Sequence, residues 1–274
     1  MDSIGMVGVG AMGGALLHRL RLAGVQPTVY DKDPAAQDAA GAAGAALAPS
    51  AAAVAEAATL VDVVVVNDQE VLDCTLGPAG VLEGARPGSL VLLHSTIHPR
   101  TTRQVAEAAR ERGVDVIDAC MVGRPWFVRE GKVCFLVGGP PDLFERAQPH
   151  LARMSKLVLH MGPLGAGNVA KLIKNLVTGA ETLIIHEAIK IGEAAGIEYR
   201  AGLEMMRQVY SGTMLDHWQD TFDDSGASSA PRLAPVIYQK DVPTAVEVGR
   251  EYGVDLPISE RYAVAVERIL GVRT

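Results

Sequence analysis

Three observations predict an α/β protein with a doubly wound parallel sheet (a Rossmann-type domain) followed by an all-α domain. In the first half of the chain, short apolar runs of strand length alternate with helical patterns. A glycine-rich turn, Gly8-Val9-Gly10-Ala11-Met12-Gly13, stands between the first run and the first helical pattern. After Gly165-Ala166-Gly167 an unbroken helical pattern sets in, and nothing beyond it reads as a strand.

The elements follow in order. Ser3–Val9 is an apolar run that enters the glycine turn, and the next pattern carries Leu16, Leu17 and Leu20 and stops at Gly24. Pro27–Tyr30 reads as the second strand and ends at Asp31. Further strands are expected at Val63–Val66, Leu90–Leu93 and Val114–Asp118, separated by helical or loop segments around Ser50–Ala58, Glu70–Leu76 and Thr101–Arg112. The boundary between domains is placed at residues 1–163 and 164–274, joined through a long helix over about 168–195. At ~1.5 Å per residue that helix spans roughly 40 Å. Helical runs near Ala201–Ser211, Pro231–Tyr252 and Ser259–Leu270 complete the second domain. Leu215–Arg232 interrupts them with acids, serines and glycine. There His217 and Trp218 are either substrate contacts or ordinary loop residues.

Bulk chemistry narrows the partners. The chain has 274 residues, 25 of them basic and 32 acidic, for a net charge of −7. That balance argues against nucleic acid or an anionic membrane as the main partner. No apolar run approaches the ~20 residues that cross a bilayer. The chain enters a strand-like run almost at once, so no signal peptide is expected. Cys74, Cys120 and Cys134 form no C-x-x-C, which suggests neither a disulfide framework nor a cysteine metal site. A soluble protein of the cytoplasm is the expectation.

The glycine turn gains meaning from its context. A G-x-G-x-x-G between strand and helix, with an acid roughly 20 positions on, is the pattern of a dinucleotide site. Gly8 allows the tight turn, Gly10 lets backbone approach a pyrophosphate, and Gly13 lets helix and strand pack closely, while the helix N-terminus favours the phosphates. Asp31 can accept from both ribose hydroxyls and repel a 2′-phosphate, which favours NAD over NADP. Lys32 follows directly and is either a solvated charge or a softener of that preference. Ligands of such sheets lie at the carboxyl ends of the strands. This draws attention to Asn67, to His94-Ser95-Thr96, and to Asp118-Ala119-Cys120. Ser95 and Thr96 offer hydroxyls for a cofactor or for a helix cap. His94 and His98 are four apart in a loop, where that spacing does not align two ligands, so no metal site is expected.

On the long helix, Val169, Leu172, Ile173, Leu176, Ala180, Leu183, Ile184 and Ile191 form an apolar arc. Lys171, Lys174, Asn175, Thr178, Glu181 and Thr182 fall opposite it. Lys171 and Asn175, four apart, share a face. A basic group and an amide so placed can hold a substrate oxygen and move its proton, or they can simply belong to a polar face.

Four separated motifs resemble the β-hydroxyacid dehydrogenases, the family of 3-hydroxyisobutyrate dehydrogenase and tartronate semialdehyde reductase. Gly8-Val9-Gly10-Ala11-Met12-Gly13 is similar to the family's G-x-G-x-M-G. His94-Ser95-Thr96-Ile97-His98-Pro99 is similar to its S-T-I-x-P loop, and Gly165-Ala166-Gly167, Lys171 and Asn175 to its G-x-G-x-x-x-K-x-x-N-N element. Lys240-Asp241 is similar to a late K-D pair. The resemblance implies a nicotinamide-dependent oxidation of a short β-hydroxy acid to its semialdehyde, or the reverse. It implies Lys171 as acid/base and Asn175 as a substrate contact. It further implies cofactor contacts at Gly8, Gly10, Ala11, Met12, Gly13, Thr96 and Lys240; Asp31 and Asn67 join them from their strand-end positions, and a homodimer or homotetramer is expected, with the helical domain at the interface. A lysine whose pKa is lowered by burial can accept the carbinol proton near neutral pH.

The family's D-A-P-V-S-G-G loop reads here Asp118-Ala119-Cys120-Met121-Val122-Gly123-Arg124. Val122 lacks the serine hydroxyl, the Gly123 N–H remains, and Arg124 brings a planar cation suited to a substrate carboxylate. Arg124 either takes over the carboxylate or points to solvent. Lys174 replaces the first asparagine of the pair. Two other readings stand beside the leading one. One is an imine reductase-like NAD(P)H enzyme, against which Lys171 and Asp31 count. The other is an NAD-binding protein without turnover, suggested by the lost serine.

Overall fold

In the computed structural model, residues 2–194, 196–209, 233–251, 253 and 257–270 are described. The chain divides into two units, Met1–Lys171 and Leu172–Thr274.

The first unit is built on one eight-stranded sheet of order β3-β2-β1-β4-β5-β6-β7-β8. Its strands are β1 (Ile4–Val7), β2 (Thr28–Tyr30), β3 (Ala46–Leu47), β4 (Leu60–Val63), β5 (Leu90–Leu93), β6 (Asp115–Val122), β7 (Cys134–Gly138) and β8 (Leu157–Gly162). The helices between them are α1 (Ala11–Leu22), α2 (Pro34–Ala42), α3 (Ala51–Ala57), α4 (Asp68–Leu76), α5 (Val81–Gly84), α6 (Pro99–Arg110), α7 (Pro125–Arg129) and α8 (Pro141–Leu151). Strand order reverses between β1 and β4, and that switch point opens a crevice at the carboxyl ends of the strands.

The central strands are apolar on both faces because helices cover both. One face packs Leu16, Leu17 and Leu20 of α1 with Met6, Leu92, Ile117 and Phe135. The other packs Val54 of α3 and Val105 of α6 with Val61, Val91 and Leu93.

Two expected strand bounds need correction. β4 lies at Leu60–Val63 rather than Val63–Val66, and β6 runs on to Val122 rather than ending at Asp118. The sheet is not wholly parallel: β7 runs antiparallel to β6, with Val122 opposite Cys134. The link between those two strands, residues 123–133, holds only the one-turn α7 and falls just short of the dozen or more residues that a parallel crossover needs.

A charged cluster lies inside the first core. Asp62 on β4 is fully buried, with His94 Nε2 2.8 Å from Oδ1 and His150 Nε2, on α8, 2.8 Å from Oδ2. His94 Nδ1 lies 2.7 Å from the Ala119 carbonyl oxygen. His94 thus bridges the Asp62 carboxylate and the Ala119 carbonyl through its two ring nitrogens. Burial alone would raise the Asp62 carboxyl. His150 first and then His94 outweigh it and hold that carboxyl well below the usual carboxylate range.

In the second unit, α9 (Ala166–Ala194) continues past the division at Lys171, and α10 (Tyr199–Val209), α11 (Leu233–Glu251) and α12 (Pro257–Leu270) follow. Leu183, Ile185, Ile189, Leu203, Tyr238, Val242 and Val266 form its core. The polar side of α9 is not its outer side: Asn175, Thr178 and Thr182 are buried, while Ile173 and Val177 are exposed. Each of these buried groups has a partner. Thr178 and Thr182 donate to the carbonyls four residues back, and Asn175 Nδ2 donates to Asp241 Oδ2. Leu215–Arg232, with His217 and Trp218, lies outside the described residues.

Candidate active site

The glycine turn sits where β1 feeds α1. Gly8 has φ +90°, and its N–H donates to the Tyr30 carbonyl at 2.9 Å. A Cβ on Gly13 would collide with the Gly8 carbonyl oxygen, so α1 can start this close to the strand only with glycine there. Gly10 is different: a Cβ there would project into open space. It is the N-cap of α1, and no side chain caps that end. A cradle lined by backbone N–H groups, with room over Gly10, fits the pyrophosphate of a dinucleotide. Ala11 is exposed and Met12 half-buried in the first turn.

Asp31 closes the turn from the end of β2. Its Oδ2 accepts the Val9 N–H at 2.7 Å and its Oδ1 the Asp33 N–H at 2.9 Å. Each carboxylate oxygen keeps a second acceptor site, which suits ribose hydroxyls. Asn67 does not end a strand. It is the N-cap of α4, where its side chain accepts the Glu70 N–H at 2.9 Å. Ser95 is spent on structure, donating to Val65 O at 2.7 Å and accepting from Val65 N at 3.2 Å. Thr96 beside it is half-buried. His98 caps α6, its Nδ1 accepting the Arg100 N–H at 3.1 Å.

The start of α9 is held by a residue whose role the sequence did not reveal. Asp118 is fully buried, its Oδ1 accepting the Gly165 N–H and its Oδ2 the Asn168 N–H, each at 2.7 Å. The Gly167 N–H is a further donor. A Cβ on Gly167 would strike both Leu136 O and this carboxylate, which explains the second glycine of G-x-G in packing terms. Burial pushes the Asp118 carboxyl up to about 6, against the opposing pull of these amides. Asn168, also buried, accepts from Thr102 Oγ1 at 2.7 Å and donates to Ser95 O at 3.2 Å. Asp118 and Asn168 therefore lock the first turn of α9 to β6 and to the loop after β5. Lys171, half-buried, follows within that helix.

At the end of β6 the substitute loop takes a definite form. Val122 is the last residue of the strand, Gly123 has φ +153°, and Arg124 caps α7. The Arg124 guanidinium lies 5.2 Å from the ring of Trp126, itself 48% exposed. A guanidinium presents its N–H donors in one plane, the fork geometry that meets a carboxylate. In the second unit, Asn175 and Asp241 are joined, and Lys240 Nζ lies 3.1 Å from Asp241 Oδ1. Asp241 accepts through its oxygens only, so the amide nitrogen of Asn175 faces it.

Sheet order, glycine turn and strand-end acid define a dinucleotide-binding protein of the doubly wound class. A family model described as the NAD binding domain of 6-phosphogluconate dehydrogenase matches residues 3–162. A second, described as the NAD-binding of NADP-dependent 3-hydroxyisobutyrate dehydrogenase, matches residues 165–270. An NAD-dependent L-serine dehydrogenase of Pseudomonas aeruginosa is 32% identical over 98% of this chain and 92% of its own. A 3-hydroxyisobutyrate dehydrogenase of the same organism is 34% identical over 84% of this chain and 78% of its own. A solved 3-hydroxyisobutyrate dehydrogenase of Mycobacterium tuberculosis with L-serine shares the fold, with TM-score 0.83, 24% identity, and 99% and 94% of the two chains covered. The chain belongs to the 3-hydroxyisobutyrate dehydrogenase family of β-hydroxyacid dehydrogenases. It is a nicotinamide-binding dehydrogenase of that family, and no helix among its described residues is long and apolar enough to cross a membrane.

Proposed function

We propose that this protein oxidises a short β-hydroxy acid to the corresponding semialdehyde with NAD, or carries out the reverse reduction, and that Lys171 is its acid/base. The observation that carries this reading is the Asp118 clamp. It fixes the first turn of the helix that bears Lys171, at the carboxyl-end side of the sheet where cofactors of such folds lie. The bound nicotinamide supplies the hydride acceptor. Lys171 takes the proton of the hydroxyl in the oxidative direction and returns it to the carbonyl oxygen in the reductive one. Asn175, one turn on, holds that oxygen without titrating. The amide nitrogen carries two N–H groups; Asp241 takes one and so orients the amide, and the second is the one proposed to donate to that oxygen.

Gly8, Gly10, Ala11, Met12 and Gly13 are proposed to cradle the pyrophosphate, with Asp31 on the ribose and Asn67 and Thr96 along the crevice. The Gly123 N–H and the Arg124 edge are proposed to take the substrate carboxylate in place of the serine that Val122 replaces. L-Serine and 3-hydroxyisobutyrate, named for the relatives, are both short carboxylates with a β-hydroxyl, which supports that substrate class. The test is purified protein with NAD and a panel of β-hydroxy acids and matched alcohols lacking the carboxylate, followed by absorbance of the reduced nicotinamide. Turnover confined to the acids is expected. Turnover of neither would sink the reading.

A further inference from the structure

A basic side chain just after the acid of β2 is well placed to meet a ribose 2′-phosphate, and Lys32 stands there. In this structure that cation is already engaged. Lys32 Nζ lies 2.9 Å from Glu70 Oε1, reaching from the end of β2 across to α4. Glu70 is itself anchored: its Oε2 accepts the Val66 N–H and its own N–H donates to Asn67 Oδ1, both at 2.9 Å. The lysine side chain is 74% exposed and the glutamate 25%. The anion is thus the fixed member of the pair, and the cation is the one drawn to it.

We propose that Glu70 is a specificity-determining residue: it holds Lys32 on the α4 side of the crevice, withholds that cation from a 2′-phosphate, and leaves Asp31 to select a cofactor with a free 2′-hydroxyl. The inference rests on the NAD preference proposed above. It assigns that preference to two residues acting together, the repelling Asp31 and the restraining Glu70. The mutual charge effect agrees: hydrogen bonding to Lys32 lowers the Glu70 carboxyl, and Glu70 raises the Lys32 ammonium.

The test is titration of the full chain with NAD and with NADP, for wild type, Glu70→Gln, Lys32→Ala and the double variant. Glutamine keeps an oxygen for the Val66 N–H but removes the charge. Exposed ion pairs are weak, so Glu70→Gln should tighten NADP binding by about three- to tenfold, with NAD changed less than about twofold. Lys32→Ala alone should leave the NADP affinity within about twofold, because the cation is already spent, and the double variant should lose the gain. NAD binding by each variant reports that it has folded. A Glu70→Gln variant with unchanged NADP affinity, or a gain that survives in the double variant, overturns the role of Glu70. A wild type that binds NADP more tightly than NAD instead overturns the preference on which it rests.

Discussion

The carboxylate of Asp118 accepts the backbone N–H of Asn168 at 2.7 Å, joining β6 to the first turn of α9 across 50 positions of sequence. The same carboxylate holds Gly165, so the helix is capped from another strand rather than by a residue of its own chain direction.

That clamp should titrate. Its folded pKa is raised to about 6, above the 3.8 of a free aspartate, so the folded state binds the proton more tightly than the unfolded one. The group's contribution to stability is therefore complete below pH ~4 and lost as pH rises to about 6, amounting to about 3 kcal/mol. Asp118→Asn removes this dependence. Denaturant melts between pH 4 and 7 should show the gap between wild type and variant widest near pH 4 and narrowing upward. A gap that grows toward pH 7 would mean the amides outweigh burial.

Asp62 should behave in the opposite sense. Its folded pKa is depressed, so its contribution is present above the unfolded value and lost as pH falls through the acid range. Asp62→Asn leaves two buried histidines facing a neutral amide and should cost about 3–5 kcal/mol at pH 7. The same denaturation series checks it, and the deficit should shrink below pH ~4. A variant as stable as wild type at pH 7 would show that the cluster carries no net stabilisation.

Two glycines of one turn should separate folding from binding. Gly10→Ala enters open space and should change stability by less than about 0.5 kcal/mol while weakening NAD about tenfold or more. Gly13→Ala meets the Gly8 carbonyl and should lower the melting temperature as well. Calorimetric melting and NAD titration of both variants decide the matter.

Replacing Lys171 by Ala should reduce turnover by about 10²–10⁴ with NAD affinity nearly intact. Stopped-time assays at saturating substrate, beside NAD titration, measure both. Full activity would end the acid/base assignment.

Arg124→Ala should raise KM about tenfold for substrates that carry a carboxylate and leave kcat within about threefold. Matched alcohols provide the control. An equal rise for acids and alcohols would remove Arg124 from that role.

Much of this was legible in the sequence where a residue type answers a backbone requirement. The Gly8–Gly13 turn and Asp31 are of that kind, since their spacing is dictated by the chain's own path. β4 was displaced because Asp62 interrupts an otherwise apolar run, and a lone sequence offers no sign that His94 and His150 meet it from other elements. The polar side of α9 was visible as a pattern, but periodicity cannot say which side is inward. Asn175, Thr178 and Thr182 are buried because Asp241 and the helix's own carbonyls satisfy them. Asp118 was seen as part of a loop motif. Its grip on Gly165 and Asn168 is a long-range contact that spacing does not encode.

The clamp makes α9 a lever with its fulcrum at one end. Lys171 is five residues from Ala166, about 7.5 Å along the axis, whereas Ala194 is about 42 Å away. A tilt of about 5° at the clamp would displace the distal end by about 4 Å but the lysine's backbone by well under about 1 Å. Lys171, proposed as the acid/base, thus lies on the stretch of the helix that a change of its axis at the clamp displaces least.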